Sequence, residues 1–350
     1  MRGFICPPLT GGLCLAISAA CCLAQQPAVG TPRQPLPEQA AITAAQDLVR
    51  QAYADEIESA ARDPEPLIRK LLAAAAETQD PASDYALFLE AEKAAVAGGA
   101  VGRVMEVVDA RASQFEIDGL QTRVERIADC LTPKARADVG LLKVLWEHAI
   151  ETAERGLTEE AFPQARKAAE AAGNVAKAIT AVGRTRKDEA LVADAEEKQS
   201  QTRDLLKTIG RRSGLIAEYR KAVEKLASDA EDAKANGIVG RYLCFERDAW
   251  AEGLPAIAKG DQQNLAAAAS REIELFSRAA DQRDFRAILA VADEWWQASE
   301  SAAARRHAAA LYERALPDIA DPTKRALVTK RIAAVNTDAE PERPPGTGPG

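Results

Sequence analysis

Three hundred and fifty residues, 47% apolar and 28% charged, supply enough core material for one large or two ordinary domains, so disorder is not the default reading. A formal charge of −8 at pH 7 argues against nucleic acid as a partner. The basic clusters Arg184-Thr185-Arg186-Lys187, Arg211-Arg212 and Arg305-Arg306 are short and lie among acids. Aromatic residues make up only 5%, alanine is abundant and β-branched residues do not alternate in runs, so the composition leans towards helix.

At the N-terminus, Arg2 precedes an apolar stretch over residues 13–23 and the small-x-small triplet Cys22-Leu23-Ala24. This is the layout of a signal peptide over residues 1–24, cut after Ala24. The stretch falls short of the roughly 20 residues that a membrane span needs, and no later run approaches that length. Ser18-Ala19-Ala20-Cys21 resembles a lipobox with Ser where Leu is usual, a weaker pattern than simple cleavage. The expected address is periplasmic or extracellular. Cleavage would take the formal charge to −9 and leave Cys130 and Cys244 of the six cysteines. Two cysteines in helical settings fit small buried side chains as well as they fit a disulfide.

Residues 25–37 hold Pro27, Pro32, Pro35 and Pro37 and read as an extended linker. Helical hairpins are predicted over 38–183, a long, charge-rich helical connector over 184–236, further hairpins over 237–336, and a disordered tail over 337–350. Asp63-Pro64, Asp80-Pro81, Thr132-Pro133 and Asp321-Pro322 each pair an N-cap side chain with proline at the first helical position. There the oxygen accepts an orphan N–H and proline has none to lose. Between these starts the apolar spacing is helical, as in Ile117, Leu120, Val124, Ile127 and Leu131. Gly98-Gly99, Arg155-Gly156 and Arg247-Asp248 read as turns short enough to set neighbouring helices antiparallel. After the second turn, Thr158 is expected to cap the next helix, Leu157 and Phe162 to staple it, and Pro163 to delay or bend it. A break in the connector is expected near 210–214.

Chemistry-bearing motifs are scarce. The two histidines, His148 and His307, stand at no zinc spacing, and the glycine pairs lack the context of a phosphate loop. Acid pairs such as Glu159-Glu160 and Asp293-Glu294 read as solvated helix faces. No catalytic residue, metal ligand or cofactor is assigned, and the chain reads as a non-enzyme. Trp146 and Trp295 are placed in the core. Trp296 points about 100° away from Trp295 on a helix and is left for another role.

In the C-terminal part, Ala308-x-x-x-Tyr312-x-x-Ala315-Leu316, preceded by Val291-Ala292-x-x-Trp295, resembles a tetratricopeptide repeat. Val239-Gly240-x-x-Leu243 and Gly253-Leu254-x-x-Ile257-x-x-Gly260 are similar one hairpin earlier, with small residues where helices would cross. Together with Leu243-Cys244-Phe245, Trp250, Tyr85, Glu90-Ala91, Phe115-Glu116 and Asp118-Gly119-Leu120, these features make most of the mature chain resemble exported bacterial tetratricopeptide-like proteins of unknown function. The resemblance implies an all-α array of antiparallel helical hairpins, a tetratricopeptide-like solenoid with long connecting helices. It also implies a partner groove on the first helices of the hairpins. With Gly240 and Ala292 as equivalent positions, Arg241, Cys244 and Phe245 of one hairpin would stand beside Asp293, Trp296 and Gln297 of the other. Alternatively, Phe245 and Trp296 cap the end of the array. The expected role is to mediate a protein or peptide interaction in the cell envelope. An enzyme of unrecognised type and a purely structural spacer are the alternatives.

Overall fold

The computed structural model describes residues 32–60, 62–279 and 284–338. The expected signal peptide, residues 25–31 of the expected linker and the last twelve residues of the tail lie outside the described residues. The protein is all-α: sixteen α-helices are described, and among the described residues no strand occurs. No described helix is long and apolar enough to cross a membrane. The chain forms two compact units, one closing at Ala135 and the other opening at Arg136.

The first unit contains α1 (Gln39–Ala52), α2 (Ala54–Ser59), α3 (Glu65–Glu77), α4 (Pro81–Gly98), α5 (Val101–Gln114) and α6 (Gly119–Cys130), with the short α7 (Pro133–Ala137) at its end. Helix α4 is its centre and packs against α1, α3, α5 and α6. Its sequence explains why: Tyr85, Ala86, Leu87, Phe88, Ala91 and Ala95 are buried on every side, the pattern of an enclosed helix. Phe115 sets its ring edge-on to Tyr85 at 5.0 Å and Phe88 at 6.5 Å. The proline-rich segment does not run free up to its end at Pro37. Gln34 N–H donates to Gln114 O (2.7 Å) and Gln34 O accepts from Glu116 N–H (2.9 Å), forming an isolated parallel bridge beside Phe115.

Three of the four Asp/Thr-Pro pairs put proline at the first helical position as expected, while α3 opens one residue later, at Glu65, with Pro64 rather than Asp63 at the cap position. Asp80 accepts from Ser83 N–H at 2.9 Å, Thr132 from Ala135 N–H at 3.1 Å, and Asp321 from Thr323 N–H at 2.8 Å; Asp63 accepts from Glu65 N–H at 3.1 Å. Gly99 ends α4 in the left-handed region, φ 75°, which glycine adopts without strain.

Acid burial departs from the expectation of solvated carboxylates. Glu92 on α4 is buried between Arg111 (3.0 Å) and Arg126 (3.2 Å), and Glu90 is buried against Arg50 at 2.7 Å. Asp84 is 6% exposed, its Oδ1 finds no partner, and burial pushes its carboxyl up from 3.8 to about 6. A raised folded-state value means that its contribution to stability is complete below the unfolded value and is lost as pH climbs through about 6, where a buried group must ionise. Asp84→Asn is therefore expected to stabilise the first unit by about 1–2 kcal/mol at pH 8 and by nothing measurable at pH 3.5, read from urea unfolding. Equal effects at both pH values would show that ionisation is not the cause.

The second unit begins with three long helices, α8 (Val139–Thr158), α9 (Phe162–Arg186) and α10 (Glu189–Ser228), stacked in sequence order. Ala165, Ala168, Ala169, Ala172 and Ala176 give α9 a fully buried row of methyl groups, so its neighbours approach closely. Three expectations are corrected here. Gly156 does not end α8, which runs on to Thr158; a Cβ there would stand 3.0 Å from Ala165 N, so the glycine admits α9. Thr158 is accordingly no cap, its hydroxyl donating back to Glu154 O at 3.0 Å, while α9 does start late with Pro163 in its first turn. Nor does α10 break at 210–214. It is continuous for 40 residues, because an isolated helical glycine costs only about 1 kcal/mol.

Beyond α10 come α11 (Ala233–Arg241), a π-helical turn (Tyr242–Glu246), α12 (Trp250–Ala258), α13 (Gln263–Ser277), α14 (Phe285–Ala298), α15 (Ala302–Ala315), a 3₁₀ turn (Leu316–Asp318) and α16 (Pro322–Asp338). Consecutive helices pack on one another. The turn at Arg247-Asp248 falls where expected, with Asp248 at φ 53°. Glycines mark the α11–α12 crossing: a Cβ on Gly240 would stand 2.5 Å from Ile257 N, and one on Gly253 3.0 Å from Gly240 O. Ala292, Trp295, Ala308, Tyr312 and Ala315 are fully buried in the same core. Helix α16 extends through the first two residues of the tail, to Asp338.

Candidate functional site

The sequence-derived groove residues fall into separate settings. Arg241 ends α11 and lies 3.7 Å from Asp261. Cys244 is buried, and Phe245 is half-buried with its ring tilted on Trp250 at 5.8 Å. Asp293 accepts from the Tyr312 hydroxyl at 2.7 Å and from Arg331. Trp296 is half-buried, with its ring 5.4 Å from the Arg305 guanidinium and 5.3 Å from that of Arg331. Gln297 is exposed. Helices α12 and α13 come between α11, which ends at Arg241, and α14, while the π-helical turn that carries Phe245 packs against α15 and shares the core on which Trp296 rests.

Between these groups lies a buried polar cluster. Glu272, 5% exposed on α13, accepts the Trp295 indole N–H at 2.6 Å and meets His307 Nε2 at 2.8 Å. The His307 ring stacks on Trp250 at 3.6 Å and 9°, while Trp295 stands edge-on to both rings. Trp250 in turn donates to Asp248 Oδ1 at 2.7 Å. Cys244 adjoins the cluster; burial first, then the negative charge of Glu272, pushes its thiol up to about 12, which keeps it an inert thiol. Cys130 is likewise buried, free and pushed up to about 11 by burial. Glu272, the Trp295 and Trp250 indoles and His307 Nε2 already have protein partners, so the chemistry of the cluster is cohesion.

An open site stands on the other side of the π-helical turn, against α10. The wider turn, with Arg247 N–H donating to Tyr242 O at 3.2 Å, displaces Tyr242 outward onto Tyr219, ring to ring at 4.3 Å and 27°. Two cavities flank the pair. One, of ≈ 400 Å³, is lined by Thr208, Arg211, Arg212, Leu215, Ile216, Tyr242, Glu246 and Arg247. The second, of ≈ 470 Å³, shares Ile216, Tyr242 and Arg247 and adds Glu160, Tyr219, Arg220, Leu243, Ala249 and Glu252. Two of the four arginines are engaged: Arg211 with Glu246 at 3.2 Å and Arg247 with Glu160 at 2.7 Å. Arg212 and Arg220 meet no carboxylate among the described residues. Burial first, and then Glu160, raises the Tyr242 hydroxyl above its ordinary value, so it remains a neutral donor.

Sequence reasoning took Arg211-Arg212 for a solvated helix face and did not single out Tyr219 or Tyr242. The one local signal was the basic pair itself; the stack joins residues 23 positions apart through a helix irregularity that propensity does not announce. Among the described residues no cluster of His, Cys, Asp and Glu could hold a metal ion. No protein-family model matches the chain, and neither a curated protein nor a solved structure matches it.

Proposed function

We propose that this chain is a non-enzymatic, extracytoplasmic helical-repeat protein of the tetratricopeptide-like kind, which binds a protein or peptide segment of the cell envelope in the cleft at Tyr242. The observation that carries the reading is the pair of adjoining cavities on either side of the Tyr219–Tyr242 stack, an open concavity with donors on its rim and apolar side chains on its floor. Catalysis has less support, because the buried pair of Glu272 and His307 is spent on Trp295 and Trp250 and the neighbouring Cys244 thiol is held protonated. Export rests on the signal-like residues 1–24.

A photo-crosslinking side chain placed at position 212 in native cells is expected to capture one discrete protein, and one placed at the exposed position 196 on the same helix to capture none. The probe-bearing chain itself is expected to begin near Gln25. Identical capture from both positions, or retention of Met1, would end the reading.

A further inference from the structure

The arrangement of the free arginines narrows what the cleft holds. Arg212 and Arg220 both lie on α10, eight residues and hence about 12 Å apart along the helix. Between them, Ile216, Tyr219 and Tyr242 offer an apolar and aromatic floor. The 400 Å³ cavity holds three guanidiniums against the single carboxylate of Glu246, and with Arg220, Glu160 and Glu252 of the second cavity the cleft keeps four guanidiniums against three carboxylates, a local positive excess on a chain of formal charge −8. An extended peptide advances about 3.3 Å per residue, so acids four positions apart are separated by about 13 Å, which matches the rise between the arginines along the helix; their offset of about 80° around it has the peptide cross α10 obliquely. The side chain midway between them points to the same face as both acids.

We propose that the cleft takes an extended acidic peptide of the pattern acid-x-apolar-x-acid, its two carboxylates on Arg212 and Arg220 and its central apolar or aromatic side chain on Tyr219 and Tyr242. This rests on the binding reading above and adds the ligand's chemistry to it. Guanidinium forks suit carboxylates in two-point geometry, and neither arginine has to give up an internal ion pair to bind.

The test is fluorescence anisotropy with the full mature chain and a labelled peptide whose core is Glu-Gly-Phe-Gly-Glu, with Gln-Gly-Phe-Gly-Gln and Lys-Gly-Phe-Gly-Lys as comparisons. The acidic peptide is expected to bind at least tenfold more tightly than either comparison, and more weakly as salt rises. Arg212→Gln and Arg220→Gln should each weaken it about fivefold with an unchanged melting curve, Arg212→Lys should restore part of the loss, and Lys221→Gln on the same helix should change nothing. Equal binding of the acidic and Gln peptides, or affinity untouched by both arginine substitutions, would overturn the proposal. If capture from position 212 persists while the acidic peptide fails to bind, the cleft is an interface and the ligand chemistry assigned here is wrong; if both fail, the binding reading falls with it. Self-association abolished by Arg212→Gln and insensitive to the acidic peptide would likewise overturn it, in favour of a second copy of the chain.

Discussion

Gly240→Ala is expected to lower the stability of the second unit by about 2–3 kcal/mol, a large part of the margin of an ordinary domain. The added methyl would stand 2.5 Å from the backbone nitrogen and Cγ1 of Ile257 and 3.0 Å from Gly253 O. Two of these are main-chain atoms that cannot swing aside, so α11 and α12 must move apart. Ile257 and Cys244, both buried in the core beneath, would lose packing with them. Gly214 provides the contrast within the same protein. A Cβ there meets nothing within 4 Å and its backbone is helical, so Gly214→Ala should stabilise by about 0.5–1 kcal/mol. Urea unfolding followed by circular dichroism reads both, and similar shifts for the two variants would refute the close-approach argument.

Glu272→Ala is expected to cost about 3–4 kcal/mol, because it removes the shared partner of a fully buried indole N–H and a part-buried imidazole nitrogen. The indole N–H of Trp295, fully buried, and the ring of His307 both depend on this one carboxylate. The loss would also free His307 from its place against Trp250, so the near-ultraviolet dichroism of the tryptophans should collapse before the helix signal does. Glu272→Gln keeps the shape and one acceptor oxygen, and is expected to cost roughly half as much. If the alanine variant unfolds at the same denaturant concentration as the parent, the cluster contributes nothing to cohesion.

What could be read from the sequence follows the range of the interaction that fixes each feature. The four helix starts at Asp63, Asp80, Thr132 and Asp321 were legible because cap and proline act within three residues. The all-α class was legible because spacing repeats within every helix. Gly156 and Gly210 were misread because a glycine that admits a neighbour, or is merely tolerated, carries the same local mark as one that ends a helix. The buried acids were not legible at all: Glu90 finds Arg50 forty positions away, Glu92 finds Arg126 at thirty-four, and Glu272 finds His307 at thirty-five. On sequence alone each of them looks like any other acid on a helix face. The cleft was hidden for the same reason, since its aromatic pair is joined across α10 and the π-helical turn.

The two walls of that cleft differ in compliance. On one side, residues from Thr208 to Arg220 belong to a single uninterrupted hydrogen-bond ladder of 40 residues, packed over part of its length on α9. On the other, Tyr242, Glu246 and Arg247 hang on five residues of π-helix, whose longer-range bonds are fewer and more easily rearranged than those of an α-helix. A change of width in the cleft would meet less resistance at the π-helical turn than along α10. Because Phe245 in that turn rests on Trp250, such movement reaches the stacked imidazole of His307, which makes the tryptophan environment a built-in reporter of what happens at a surface that contains no tryptophan of its own.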